Sequence, residues 1–224
     1  MLMKPTIAAL SLLFLPLFAG YTPAAPIIAP VGATINVGGP GSGNIADTFN
    51  QNGLSSNYIS GVTDFGTYIA TNPTHTSIFG GFEWFSEFNS TTATVTYDLG
   101  SVMGIDALAL WNEESSGIGT LALLGSLDGI TFFSIATGLK PFDNPLADYP
   151  AEVFAFAATN TRYVQFVITD VPQPDPGSYP SAAIGEVAFR AAEVPEPASL
   201  ALWSLMSVAG LAAWRKRKLA KASV

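Results

Sequence analysis

The chain has 224 residues, no cysteine, one histidine and a formal charge of −8. Disulfide staples and metal centres built on Cys and His are excluded, and a Ser-His-Asp arrangement would have to use His75, with no Gly-x-Ser-x-Gly turn to carry its nucleophile. Of nine basic residues only Lys140, Arg162 and Arg190 lie between the two ends, against sixteen of the seventeen acidic ones, so the middle carries about −13 and lacks the cationic surface that nucleic acid requires.

Residues 1–25 open with a single charge, Lys4, continue into an apolar run over 7–18, and end in the small residues Ala19, Gly20, Ala24 and Ala25. That order predicts a signal peptide cleaved after Gly20 or near Ala24 and Ala25. Residues 26–43 are rich in Pro and Gly and predict a flexible lead-in with one short strand at 33–37. The run Gly38-Gly39-Pro40-Gly41-Ser42-Gly43 lacks the Lys-Ser/Thr of a phosphate loop and reads as a flexible loop.

Residues 44–192 read as one domain. Over 94–99, Val95, Tyr97 and Leu99 alternate with Thr94, Thr96 and Asp98, which predicts a half-buried strand ended by a Gly100-Ser101 turn. A second strand follows at 105–111, with Leu108 and Leu110 on one side, and a third at 120–126. Asp128-Gly129 before the β-rich 131–135 predicts a hairpin. Three more strands are predicted at 152–157, 162–169 and 183–189. Thr159-Asn160 bounds the middle one, and Gly185 marks a bulge in the last. About eight short antiparallel strands with frequent turns and no long helical period predict an all-β sandwich or jelly roll. About 170 residues are enough to hold it by packing alone.

The C-terminal end has three parts: Pro195-Glu196-Pro197 within 193–197, an uncharged apolar stretch over 198–214, and a basic end, 215–224, opening with Arg215, Lys216, Arg217 and Lys218. Seventeen helical residues rise about 25 Å, slightly less than a hydrocarbon core of about 30 Å, and the basic cluster predicts a cytoplasmic membrane stop. In this order the three parts resemble the PEP-CTERM sorting signal; a plain single-pass anchor is the alternative. The resemblance implies export in a Gram-negative bacterium, transient anchoring in the inner membrane, and processing by an exosortase that passes the protein to the cell surface or extracellular matrix.

The segments Tyr97-Asp98-Leu99-Gly100-Ser101, Ile105 to Trp111, Ser126-Leu127-Asp128-Gly129-Ile130-Thr131-Phe132, Thr161-Arg162-Tyr163-Val164 and Ile184-Gly185-Glu186-Val187 are spaced as in discoidin-like domains, also called coagulation-factor C-type or galactose-binding-like. The resemblance spans about 43–190 and lacks the terminal cysteine pair of the animal members. It implies a sandwich that binds rather than catalyses. In that family an Asp-to-Thr loop meets a glutamate of the last strand to hold calcium, and the matching residues are Asp64, Thr67 and Glu186. The residues alone support that loop, because Asp64 and Thr67 sit among glycines that permit the tight turns a hard cation needs. They equally support Asp64 and Thr67 capping a turn, with Glu186 on the surface.

Aromatic residues crowd 79–88, and Trp111 precedes Asn112-Glu113-Glu114. Exposed rings stack on sugar faces while neighbouring amides and carboxylates bond hydroxyls. Trp84, Trp111, Asn112 and Glu113 are therefore the candidate glycan-binding residues, with an exopolysaccharide as the expected partner. The alternatives are a structural matrix protein without a ligand and, on the carboxylate pairs Glu83/Glu87 and Glu113/Glu114, a polysaccharide hydrolase.

Overall fold

A computed structural model of the chain describes residues 25–78, 80–171 and 180–192. The predicted signal peptide, apart from Ala25, and the Pro-Glu-Pro motif, membrane segment and basic stop lie outside the described residues. Within them the strands are β1 (Ile27–Ile28), β2 (Gly32–Val37), β3 (Ser42–Gly43), β4 (Thr74–His75), β5 (Trp84–Phe85), β6 (Ala93–Trp111), β7 (Thr120–Ser126), β8 (Phe133–Leu139), β9 (Tyr149–Pro150), β10 (Glu152–Thr169), β11 (Ala183–Ile184) and β12 (Glu186–Ala191). A 3-10 turn (Ile45–Thr48) and one short α-helix, α1 (Phe65–Ala70), lie between β3 and β4. Among the described residues no helix is long and apolar enough to cross a membrane.

The architecture is set by two long antiparallel strands, β6 and β10, each of which was expected as two. Gly100, predicted to end a strand, sits at φ +84° inside continuous β6, a backbone conformation that glycine adopts at no steric cost. Opposite it, the register of β10 shifts between Ala155 and Thr159 and again between Thr161 and Tyr163. These irregularities bend the pair without breaking it, as bulges do. Thr159-Asn160 accordingly lies within β10, paired with Ile105 and Gly104, and does not separate two strands.

The bend divides one hydrogen-bonded sheet into two layers. The first half of β6 pairs with β2 on one side and with the second half of β10 on the other; β7 and then β8 extend that layer. The second half of β6 pairs with β12, which carries β1, and with the first half of β10. The period-two alternation then fills the space between layers: Val95, Tyr97, Val164, Phe166 and Ile168 of the first share one buried cluster with Leu108, Leu110, Val187 and Phe189 of the second. Phe166 joins the layers, its ring 5.0 Å from Tyr97 and 6.5 Å from Phe189.

The second layer is covered on its other face as well. Ala107, Ala109, Trp111 and Ala188 point away from the main core into a second cluster with Ile27, Tyr58, Phe65, Tyr68 and Tyr149. Residues 105–111 therefore read as a nearly continuous apolar run because both their faces are buried, not one. The N-terminal segment also belongs to the fold, in contrast to the expected flexible lead-in: Ile27 and Ile28 are buried in β1. Gly41 and Gly43 press on β5 and the residue before it, where an added Cβ would collide with the Phe85 and Glu83 carbonyls, so the glycine run is a fixed close approach. The predicted 183–189 strand divides at Gly185: β11 joins a small sheet with β5 and β3, while β12 enters the main sheet.

Candidate functional site

Two polar assemblies stand out, one closed and one open. The closed one gathers Glu83, Glu113 and Glu114, whose carboxylate oxygens lie within 4.8 Å of one another with all three residues buried. Glu83 immediately precedes β5; Glu113 and Glu114 follow the end of β6. Glu113 is enclosed by its own turn, accepting from Ser115 N, Ser115 Oγ, Ser116 N and Gly117 N at 2.5–3.2 Å. Tyr149 donates to Glu83 Oε1 (3.2 Å) and lies 2.9 Å from His75 Nδ1. The same nitrogen sits 3.0 Å from the Thr76 carbonyl, which places the ring proton on Nδ1.

Electrostatics in this enclosure favour neutral species. Burial, reinforced by Glu113 and Glu114, pushes Glu83 up to about 8, and burial with Glu113 pushes Glu114 up to about 7. Burial pushes His75 down. The 3.8 Å approach of His75 to Glu83 is therefore a contact between a neutral ring and a protonated acid at neutral pH, not an ion pair. Of the two expected carboxylate pairs, Glu113 and Glu114 are brought together, with Glu83 as a third member, while Glu87 is exposed and outside that buried group.

The open assembly is a groove of about 490 Å³ on the outer face of the first layer, bounded by β2, β6, β10 and the β7–β8 turn. Its floor is the polar side of the strands whose apolar side builds the core. Register brings Thr34 of β2, Thr96 of β6 and Gln165 of β10 into one row across three strands. Gln165 Nε2 donates to Thr96 Oγ1 (3.0 Å), and that hydroxyl donates to Asn36 Oδ1 (2.7 Å). The chain of bonds has a direction, so Gln165 keeps its carbonyl oxygen as an acceptor at one end and Asn36 keeps its amide hydrogens as donors at the other.

Two carboxylates line the groove, one paired with a cation and one held by backbone. Asp98 receives both Nε and Nη2 of Arg162 at 2.9 Å, a bidentate pair that holds its carboxyl below the usual range. Asp128 closes the β7–β8 turn by accepting from Ile130 N and Thr131 N, which lowers it too. Tyr163 forms part of the wall, with the Arg162 guanidinium 4.9 Å from its ring centre and Gly129 packed so closely that an added Cβ would stand 3.3 Å from the ring.

The predicted ligand residues do not face solvent. Trp84 and Trp111 are fully buried, their indole nitrogens donating to Pro40 and Pro73 carbonyls, so neither offers a face for sugar stacking. Asn112 stitches two loops, accepting from Ile118 N and donating to the Phe142 carbonyl, and Glu113 is held as described. These four are corrected from ligand contacts to loop scaffolding: large rings at that density fill a core first. Asp64 caps α1, its Oδ1 accepting from Thr67 N at 2.7 Å, as in the capping alternative. Glu186 is fully buried, not on the surface, and meets a different loop through Gln51 N (3.1 Å).

The sequence matches no protein-family model and no curated protein. Among solved structures the chain is similar to chitosan-binding module 1 of a chitosanase/glucanase from Paenibacillus sp. IK-5, at 17% identity and TM-score 0.46, over 72% of this chain and 95% of that one. It is similar to the CBM32 of AlyQ, in complex with 4,5-unsaturated mannuronic acid, at 16% identity and TM-score 0.45, over 73% and 96%. A third is CpGH89CBM32-5 from Clostridium perfringens, in complex with GalNAc-beta-1,3-galactose, at 16% identity and TM-score 0.48, over 70% and 93%. At this level of likeness the neighbours assign no ligand to this chain.

Proposed function

We propose that this protein is an exported, surface-directed β-sandwich module that binds polysaccharide in the groove on the outer face of its first layer. The observation that carries the reading is the directed Gln165–Thr96–Asn36 chain on the floor of an open groove, which offers an acceptor and donors to hydroxyl groups. Sugars are recognised by such paired donors and acceptors held rigid before binding, and three strands of one sheet hold these. The apolar start of the chain and its Pro-Glu-Pro, apolar and basic end support delivery to the outside of the cell through exosortase processing.

Affinity electrophoresis of the full chain through gels containing polysaccharides tests the binding reading. Retardation by at least one of them, lost in both Gln165→Ala and Asn36→Ala, is the expected result; retardation unchanged in both variants would place binding elsewhere. Delivery is tested separately by replacing Arg215, Lys216, Arg217 and Lys218 with Gln and fractionating cells. Accumulation of unprocessed protein is expected, and normal surface delivery would show that the basic end is dispensable.

A further inference from the structure

Resting on the polysaccharide reading of the groove, we infer that the groove accepts uncharged sugars and excludes uronate-bearing or sulfated chains, because every lysine and arginine of the described module is either neutralised by a carboxylate or remote from it. The described residues contain three such side chains: Lys140, Arg162 and Arg190. Arg162 stands beside the groove, and both its bonded nitrogens are taken by the two oxygens of Asp98. Arg190 lies on β12 in the second layer and is paired with Asp106 at 2.6 Å. Lys140 follows the end of β8 and donates to Thr120 Oγ1, at the start of β7. The nearest part of the groove floor, Gln165, pairs with Leu124, four residues and so about 13 Å along β7 from Thr120, and the Asp128-Gly129 turn lies further off at the other end of that strand.

An anionic sugar entering the groove would meet Asp128, which no cation offsets, and an Asp98–Arg162 pair whose charges already cancel. Drawing Arg162 away to receive a sugar carboxylate would give up its two bonds to Asp98 and leave that carboxylate without its cation. An uncharged sugar meets no such opposition. Its hydroxyl groups both donate and accept, matching the Gln165 carbonyl oxygen at one end of the bonded chain and the Asn36 amide at the other. The negative field of the whole module reinforces the selection at a distance by lowering the local concentration of anionic chains.

The test is affinity electrophoresis of the full chain in uncharged glucan and mannan gels and, in parallel, in polygalacturonate and alginate gels. Each is run with wild type, Gln165→Ala and Thr34→Arg. Wild type is expected to be retarded by an uncharged polysaccharide, and that retardation is expected to be lost in Gln165→Ala. Thr34 is exposed in the groove, so Thr34→Arg supplies the missing cation and is expected to confer retardation by a uronate gel. The basic residues 215–218 could retard the full chain in uronate gels on their own; such retardation is unchanged in Gln165→Ala and leaves the inference standing. Wild-type retardation by polygalacturonate or alginate that is lost in Gln165→Ala would overturn the inference while sustaining the polysaccharide reading. Groove-dependent retardation by none of the gels would overturn that reading itself.

Discussion

The carboxylate enclosure around Glu83 and the groove around Gln165 are both polar, yet they do opposite things with their polarity. In the enclosure, groups from three distant segments turn inward; Glu113 alone accepts four hydrogen bonds from its own turn, and Tyr149 holds Glu83. In the groove, the bonded chain stops at each end with a donor or acceptor facing open space. Polar side chains buried behind the second layer hold loops in place. Polar side chains on the outside of the first layer are held by the sheet and left available. On the proposed reading, the density of carboxylates is a poor guide to where this module meets a ligand.

The comparison can be broken most severely through the strand the groove stands on. Phe166 and Gln165 are neighbours on β10 that face opposite ways, Phe166 fully buried and Gln165 partly exposed. Phe166→Ala should cost about 3–5 kcal/mol, because it removes the ring that joins both layers. Gln165→Ala should cost about 0.5 kcal/mol or less. Urea unfolding of both variants reads the difference, and similar losses would show that the two faces are not distinct.

The enclosure should reveal itself in the pH dependence of stability. Glu83 and Glu114 keep protons in the folded protein that the unfolded chain releases above about 4.5. Their contribution is therefore full at acid pH and is lost as pH rises, until both ionise in place at about 7 to 8. His75, pushed down by burial, acts in the other direction below its ordinary value of 6.5. The clean window is above 6.5, where melting temperature should fall as pH approaches 8. Glu83→Gln mimics the protonated acid and should flatten that fall; an unaltered slope would mean that Glu83 is ionised throughout.

A smaller effect separates the two readings of Asp64. As the cap of α1 it should stabilise with or without metal, so Asp64→Ala is expected to lower the melting temperature by about 2–4 °C equally in calcium and in chelator. A loss seen only in calcium would support the cation reading at Asp64.

The sandwich was legible because a strand with one buried face writes its alternation into the sequence: Val95, Tyr97 and Leu99, and again Val164, Phe166 and Ile168, are the buried positions. The corner was not, since Gly100-Ser101 and Thr159-Asn160 look the same whether a chain turns back or two long strands bend together. The groove was half legible. Thr34, Thr96 and Gln165 lie on polar faces of predicted strands, but their meeting depends on a register between β2, β6 and β10 that no local pattern records. The enclosure left one sign, a glutamate set among Phe82, Trp84 and Phe85, where a charge is costly unless something enclosed awaits it.

The central claim is that the groove binds and the enclosure only holds. Melting temperature and polysaccharide retardation measured side by side for wild type, Gln165→Ala and Glu83→Gln test it most directly. Gln165→Ala should lose retardation at an unchanged melting temperature, and Glu83→Gln should change the pH profile of melting with retardation intact. Loss of retardation in a fully folded Glu83→Gln protein, with Gln165→Ala still retarded, would contradict the account.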